Sequence, residues 1–311
     1  MTPKPTIIDC DPGTDDAIAL WLALASPELD VRLVTVAGGN VGLDRTTANA
    51  RAVVGLTGRA IPVVAGSDHA LVERDRRTAE TVSALAERVA EIVLMSGAWT
   101  EGNITPAAEF NAWNDPEALA ILLRLGRPLA MATLDLTAQA FITPALISRM
   151  AAREGGACWH AALAVLRALP PSRRFGGRGY PLHDPCAVAW AISPALFGAR
   201  PAQCEMDLGP GPSRGRTVID RWGRSGLAPN LTLLETLDAE VPYVTTICGR
   251  AASFAACRSI QASVSGKVRA PTSSTWRSAV EASAPAWICA CIASSAAASR
   301  RAPSVRAAPS I

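Results

Sequence analysis

Lysine is almost missing from this chain: there are two, Lys4 and Lys267, against 28 Arg. None lies between residues 5 and 266, which excludes from that stretch any site needing a Lys beside a nucleophile. No CxxC pair occurs among the eight Cys, which argues against a zinc site. Cys10, Cys158, Cys186 and Cys204 are scattered, and a lone Cys289-x-Cys291 lies far downstream, so reduced thiols are the simple reading. Long apolar runs are missing too. The stretch Ala17–Ala25 is far too short to cross a bilayer. Met1 to Pro5 runs straight into a strand-like Thr6-Ile7-Ile8 without the apolar core of a secretory signal, so a cytoplasmic, enzyme-sized protein with no membrane partner is expected. Acids are nearly absent from residues 241–311, which hold Glu281 against eight Lys or Arg; residues 1–240 hold 26 acids against 22 basic residues. The main body is therefore mildly acidic, which gives nucleic-acid binding little support.

What is present suits a globular fold. The 311 residues are 49% hydrophobic and 18% charged, enough for a substantial core and too apolar for a wholly disordered chain. Short β-like runs alternate with helical patterns: strands at Thr6–Asp9, Val31–Ala37, Ile61–Ala65, Glu91–Met95 and Pro128–Leu134, and helices at Asp15–Ala25, Asp44–Leu56, Thr78–Val89 and Pro116–Leu125. This rhythm predicts an α/β fold, Rossmann-like, with a mostly parallel sheet flanked by helices. Ligands in such folds sit beyond the carboxyl ends of the strands. A glycine-rich loop at 172–182 precedes a helix starting near Asp184, and reads equally as a flap over a site or as plain surface. The expected division is an α/β domain over 1–240 and an atypical tail over 241–311. Of the tail's 71 residues 31 are Ala or Ser, and it shows no clear period, a composition that fits disorder or an out-of-frame reading of GC-rich codons. A plausible amphipathic helix in another reading frame of the gene would support the latter.

The strongest local signal is Asp9-Cys10-Asp11-Pro12-Gly13-Thr14-Asp15-Asp16, with four carboxylates at the end of the first strand and the start of the first helix. Asp9 and Asp11 share a strand face, Pro12-Gly13 turns the chain, and Asp15 and Asp16 enter the first helical turn. A helix dipole cannot neutralise four converging acids, and mutual repulsion raises their pKa values unless a cation is present. A hard divalent ion, Ca²⁺ or Mg²⁺, answers that need. An acidic surface turn with a helix cap is the plainer alternative, and it leaves charge on a strand that should be buried. An EF-hand is excluded, because Pro12 breaks the loop and Leu20 stands where its Glu would be.

Three weaker signals accompany it. His183-Asp184-Pro185 opens an apolar helix through Ile192, where Asp184 reads as metal ligand or plain cap. Gly102-Asn103 with Glu109-Phe110-Asn111 offers acceptors and donors suited to sugar hydroxyls, or only loop polarity. Ala37-Gly38-Gly39-Asn40 ends the second strand and brings Asn40 toward the rim of the Asp cluster.

Together these motifs resemble the inosine–uridine-preferring nucleoside hydrolase family. The matching pieces are IIDCDPGTDDAIAL at 7–20, VTVAGGN at 34–40, IVLMSGA at 92–98, GNITPAAEFN at 102–111, DPEA at 115–118, LDLT at 134–137 and HDPCAVA at 183–189. The resemblance implies a nucleoside hydrolase fold holding one Ca²⁺, with Asp11, Asp16 and Asp184 as metal ligands. Asp11 is also the residue placed to take a proton from the attacking water. Asp15, Asn40, Asn103, Glu109 and Asn111 match the ribose-contacting set, Met95 lines the pocket, and His183 matches the residue near the leaving base. The implied activity is hydrolysis of the N-glycosidic bond of ribonucleosides, in purine or pyrimidine salvage, by a homodimer or homotetramer.

The sequence departs from the family in two places. The interval Ser67 to Glu91 lacks the family's His-Gly stretch and its Gly-Pro-Leu-Thr-Asn-like strand end, so several tens of residues are missing after about Val82. The absent Thr normally lends a carbonyl to the metal, so a ligand and a central strand are expected to be lost, leaving unpaired backbone groups and an impaired enzyme. The tail replaces the expected closing helix. Two alternatives follow: a catalytically defective member of the same family, and a haloacid-dehalogenase-like phosphatase. The latter also begins Asp-x-Asp, but needs Gly-Thr next and a nearby Lys, where this chain has Pro12 and none.

Overall fold

A computed structural model describes residues 2–71 and 88–238 and the backbone of Ala286–Ala290. The chain starts with strand β1 (Lys4–Cys10), helix α1 (Thr14–Ala25), β2 (Leu29–Val36), α2 (Leu43–Gly55) and a short β3 (Val63–Ala65). It resumes with β4 (Val89–Met95), a one-turn α3 (Phe110–Asn114), α4 (Pro116–Arg124), β5 (Leu129–Ala132) and a short α5 (Leu134–Thr137). Then come β6 (Phe141–Ile142), α6 (Pro144–Ala151), α7 (Ala157–Ala168), β7 (Tyr180–Pro181), α8 (Asp184–Ile192), β8 (Phe197–Met206), β9 (Thr217–Asp220), β10 (Leu231–Leu237) and β11 (Ala286–Ala290). The expected α/β rhythm is present, with one shift: Leu134, read as the end of a strand, opens α5. The helix expected over Thr78–Val89 lies outside the described residues except for its end, where Val89 begins β4.

Among the described residues the main sheet has nine strands in the order β3-β2-β1-β11-β4-β5-β10-β8-β9. Pairing is parallel from β3 to β10, and β8 and β9 close the far edge antiparallel. The central strands carry apolar residues on both faces because helices cover both. On β4, Val93 and Met95 enter one core while Ile92 and Leu94 enter the other; on β5, Ala130 and Ala132 oppose Leu129 and Met131 in the same way. Helix α1 is buried from Asp16 through Leu24, and α8 from Asp184 through Ala189, so both are enclosed rather than surface helices. They pack on each other, which brings their first turns together.

The sequence leads one to expect a gap where a central strand is lost. Instead Ala286–Ala290 stands between β1 and β4, with Ile288 opposite Ile7 on one side and Ile92 on the other. The sheet is therefore continuous across this position. The rest of the tail lies outside the described residues. Among the described residues no helix is long and apolar enough to cross a membrane.

Candidate active site

The carboxyl ends of β1, β2, β4 and β5 form one rim, and each contributes to the site. At the end of β1 the chain passes through Asp11 and Pro12, and Gly13 caps α1 by donating its N–H to Asp16 Oδ2 at 3.0 Å. Asp11 Oδ2 accepts the backbone N–H of Asn40 at 2.6 Å, and the Asn40 amide donates to Asp11 O at 3.2 Å and to Asp16 Oδ2 at 3.4 Å. Asn40 thus ties the end of β2 to the acidic turn. Gly39 is required for that approach, since a Cβ there would lie 1.7 Å from Asp11 Oδ2.

From the other direction α8 delivers Asp184 in its first turn, with His183 just before it. Carboxylate oxygens of Asp15, Asp16 and Asp184 lie within 4.8 Å of one another. The structure therefore brings together Asp16 and Asp184, both expected as ligands, and adds Asp15, which the resemblance gives to ribose. Asp11 stands beside Asp16 but is not one of the trio. Asp9, expected to point with Asp11, accepts a hydrogen bond from Thr35 Oγ1 at 2.6 Å and stands apart from the cluster.

The electrostatics follow from packing these acids in a buried place. Burial, with Asp16 close by, pushes Asp11 up to about 9. Burial and Asp15 push Asp16 up to about 6, against the Gly13 N–H that favours its charge. Asp184 is raised well above the ordinary carboxylate range by burial and by Asp15, Asp16 and Asp11. The donor set is all oxygen, compact and mutually repelling, which fits a hard divalent cation and suits neither a soft metal nor a neutral ligand.

On the other side of the rim, Glu109 caps α3 and is buried. Its Oε1 accepts Asn111 N–H at 2.8 Å; its Oε2 accepts Gly97 N–H at 2.8 Å, Ala112 N–H at 3.0 Å and the Ser96 hydroxyl at 3.5 Å. Burial nevertheless raises its pKa. Glu109 is thus bound by donors on both oxygens and locks α3 to the end of β4. Asn111 completes the lock by donating to Met95 O at 3.1 Å. Asn103 Oδ1 accepts Phe110 N–H at 2.8 Å, which directs its remaining amide hydrogens elsewhere.

A cavity of about 500 Å³ opens beside these groups, lined among others by Trp99, Asn103, Asp135, Arg174, Tyr180 and His183. The glycine-rich loop is part of its wall rather than distant surface: Arg174 donates to Gly102 O at 2.7 Å, and Phe175 packs edge-on against Phe141 at 5.1 Å. Tyr180 lines the cavity, and burial pushes its phenol up to about 12, with Asp15 and Asp184 adding to it. His183 Nδ1 is 2.7 Å from Thr137 Oγ1, and burial lowers its pKa. Trp222 is 81% exposed and does not line the cavity. Sequence reasoning gave no role to Thr137 or Arg174. The only signal for Thr137 was its place in LDLT, and for Arg174 its place in the glycine-rich loop.

The model of the inosine-uridine preferring nucleoside hydrolase family matches residues 6–84 and 78–243. The chain belongs to this family. Relatives include the pyrimidine-specific ribonucleoside hydrolase RihA of Enterobacter sp. (strain 638), 33% identical across 80% of this chain and 98% of that protein. The enzyme of the same name from Shewanella sp. (strain MR-7) is 34% identical across 76% and 93%. The first alignment runs over 309 positions but takes in 80% of 311 residues, about 249, so about 60 positions have no counterpart here. That agrees with the missing stretch after Val82. Among solved structures, a plant nucleoside hydrolase (PpNRh1) superposes with a TM-score of 0.71 at 24% identity over 81% of this chain and 99% of that one. A purine-preferring ribonucleoside hydrolase from Gardnerella vaginalis gives 0.70 at 23% over 80% and 98%. Both confirm the family's α/β fold.

Proposed function

We propose that the chain hydrolyses the N-glycosidic bond of ribonucleosides to ribose and free base with the help of Ca²⁺, at a rate reduced by the lost segment. The observation that carries this reading is the compact trio Asp15, Asp16 and Asp184, with His183, the residue before Asp184, lining a cavity sized for a small organic ligand. Asp11, Asp16 and Asp184 would hold the ion, with Asp15 close to the last two. When bound, such an ion lowers the pKa of a water and orients it against the sugar hydroxyls.

The chain's own residues account for the rest. Cleavage passes through an oxocarbenium-like state, as in glycoside hydrolysis. The C1′–N bond breaks, its electron pair stays on the base, the water oxygen bonds to C1′, and Asp11 takes the water's proton. His183 returns a proton to the departing base. Asp15, Asn40, Asn103 and Asn111 surround the ribose. Met95 forms its floor, and Glu109 supplies a fixed negative charge that favours the cationic ring. The missing strand end would leave a bound ion without the backbone carbonyl that the family resemblance implies, and so hold it less tightly.

The main domain over 1–240 carries this machinery, and from the tail over 241–311 the strand Ala286–Ala290 completes its sheet. Relatives are named for pyrimidine ribonucleosides, so uridine is the first substrate to test and inosine the comparison. Ribose release would be assayed with Ca²⁺ and with EGTA. Slow, Ca²⁺-dependent release supports the proposal, and Asp11→Ala should abolish it. Robust turnover would remove the impairment. Absence of turnover together with absence of Ca²⁺ binding by calorimetry would favour a defective family member.

A further inference from the structure

His183 carries a side-chain contact that the proposed chemistry does not yet use. Its Nδ1 lies 2.7 Å from Thr137 Oγ1, and Thr137 is wholly buried on α5, across the cavity wall from α8. The same hydroxyl is 3.4 Å from Leu134 O. A hydroxyl has one hydrogen to give and two lone pairs to receive. Giving its hydrogen to Leu134 O leaves Oγ1 to accept Nδ1–H. The imidazole is then held as the Nδ1–H tautomer when neutral, and Nε2 is the nitrogen left for the cavity that His183 lines.

We propose that Thr137 is a positioning residue that fixes the ring and tautomer of His183, so that Nε2 faces the leaving base. This rests on the reading that His183 protonates that base. His183 first takes a proton from solvent at Nε2; the resulting imidazolium gives that proton to the base as the base takes the C1′–N electron pair, and the ring relaxes to the neutral Nδ1–H form that Thr137 already receives. Thr137 accepts without charge. A carboxylate in its place would hold the proton on the ring; a neutral acceptor orients the imidazolium and still lets it discharge.

The test compares Thr137→Val, which removes the hydroxyl, with Thr137→Ser, which keeps it. Two substrates separate positioning from general damage. Uridine needs its base protonated, whereas p-nitrophenyl ribofuranoside releases a stable phenolate and does not. Thr137→Val should lower kcat on uridine roughly 10- to 100-fold, hold the p-nitrophenyl substrate within about 2-fold, and be rescued by Thr137→Ser. Equal loss on both substrates, or no loss on uridine, overturns the proposal.

His183→Ala tests the underlying reading separately: if it leaves uridine turnover intact, the proton-donor role falls whatever Thr137 does. A second readout needs no turnover. The chain has three His, namely His69, His160 and His183, so its imidazole ¹⁵N spectrum is assignable. The wild type should show Nδ1 protonated and Nε2 bare in neutral His183, Thr137→Ser should match it, and Thr137→Val should lose it. An unchanged pattern in Thr137→Val, or Nε2–H in the wild type, overturns the proposal.

Discussion

Asp16 in the first turn of α1 and Asp184 at the head of α8 bring carboxylate oxygens within 4.8 Å of each other, although both side chains are buried. Two buried carboxylates this close repel each other when both are ionised, and a cation between them would relieve that repulsion. Ca²⁺ should therefore raise the melting temperature, by an amount equivalent to about 2.7 kcal/mol at a hundred times its Kd. Asp184→Asn should abolish the shift. Differential scanning fluorimetry in Ca²⁺ and in EGTA reads both; an equal shift in wild type and variant would count against the site.

The same acids fix the sign of the pH dependence without metal. Asp16 is raised to about 6, Asp9 to about 7 and Asp11 to about 9, in each case chiefly by burial. Their values in the unfolded chain are about 4. Between those limits the folded state binds more protons than the unfolded one, so stability falls as pH rises. Urea midpoints in EGTA should be lower at pH 8 than at pH 5, and Ca²⁺ should narrow the difference. A midpoint that rises with pH in EGTA would contradict the burial of these groups.

Gly39 is expected to be intolerant of any side chain. A Cβ placed 1.7 Å from Asp11 Oδ2 must displace the carboxylate or the turn. Gly39→Ala should cost about 1–3 kcal/mol and remove Ca²⁺-dependent activity. Gly55→Ala is the control, because nothing lies near its Cβ and alanine there should be neutral or slightly stabilising. Parallel denaturation curves of the two variants settle the comparison.

Strand β11 should matter to the fold although its sequence offers no sign of it. It pairs on both sides, with β1 and with β4. Ile288→Pro removes a backbone donor inside this ladder, with an expected loss of about 1–3 kcal/mol for each buried group left unpaired. It should also weaken the Ca²⁺ shift, since β1 leads directly to Asp11. An unaltered urea midpoint would show that the sheet does not depend on residues 286–290.

Much of the site was legible in local sequence. The Asp11-Pro12-Gly13 turn, the acids of the first helical turn, Asn40 at the end of β2 and Glu109 at the head of α3 are each set by neighbours a few positions away, and motif order carried the family. The partners of those groups were not legible. Asp15, given to the ribose by resemblance, also lies close to Asp16 and Asp184, and Glu109 is bound on both oxygens by its own backbone surroundings. Thr137 meets His183 only because α5 and α8 face one cavity. Strand β11 was hidden because an Ala- and Ser-rich tail has no period to read, and its place depends on a slot opened far away in sequence. The sequence by itself determined which residues carry charge and where the chain turns, because these depend on short-range chemistry. Which carboxylates gather, which hydroxyl steadies the histidine and what fills the centre of the sheet were decided by tertiary packing, because each joins atoms that only long-range burial brings within a few ångströms.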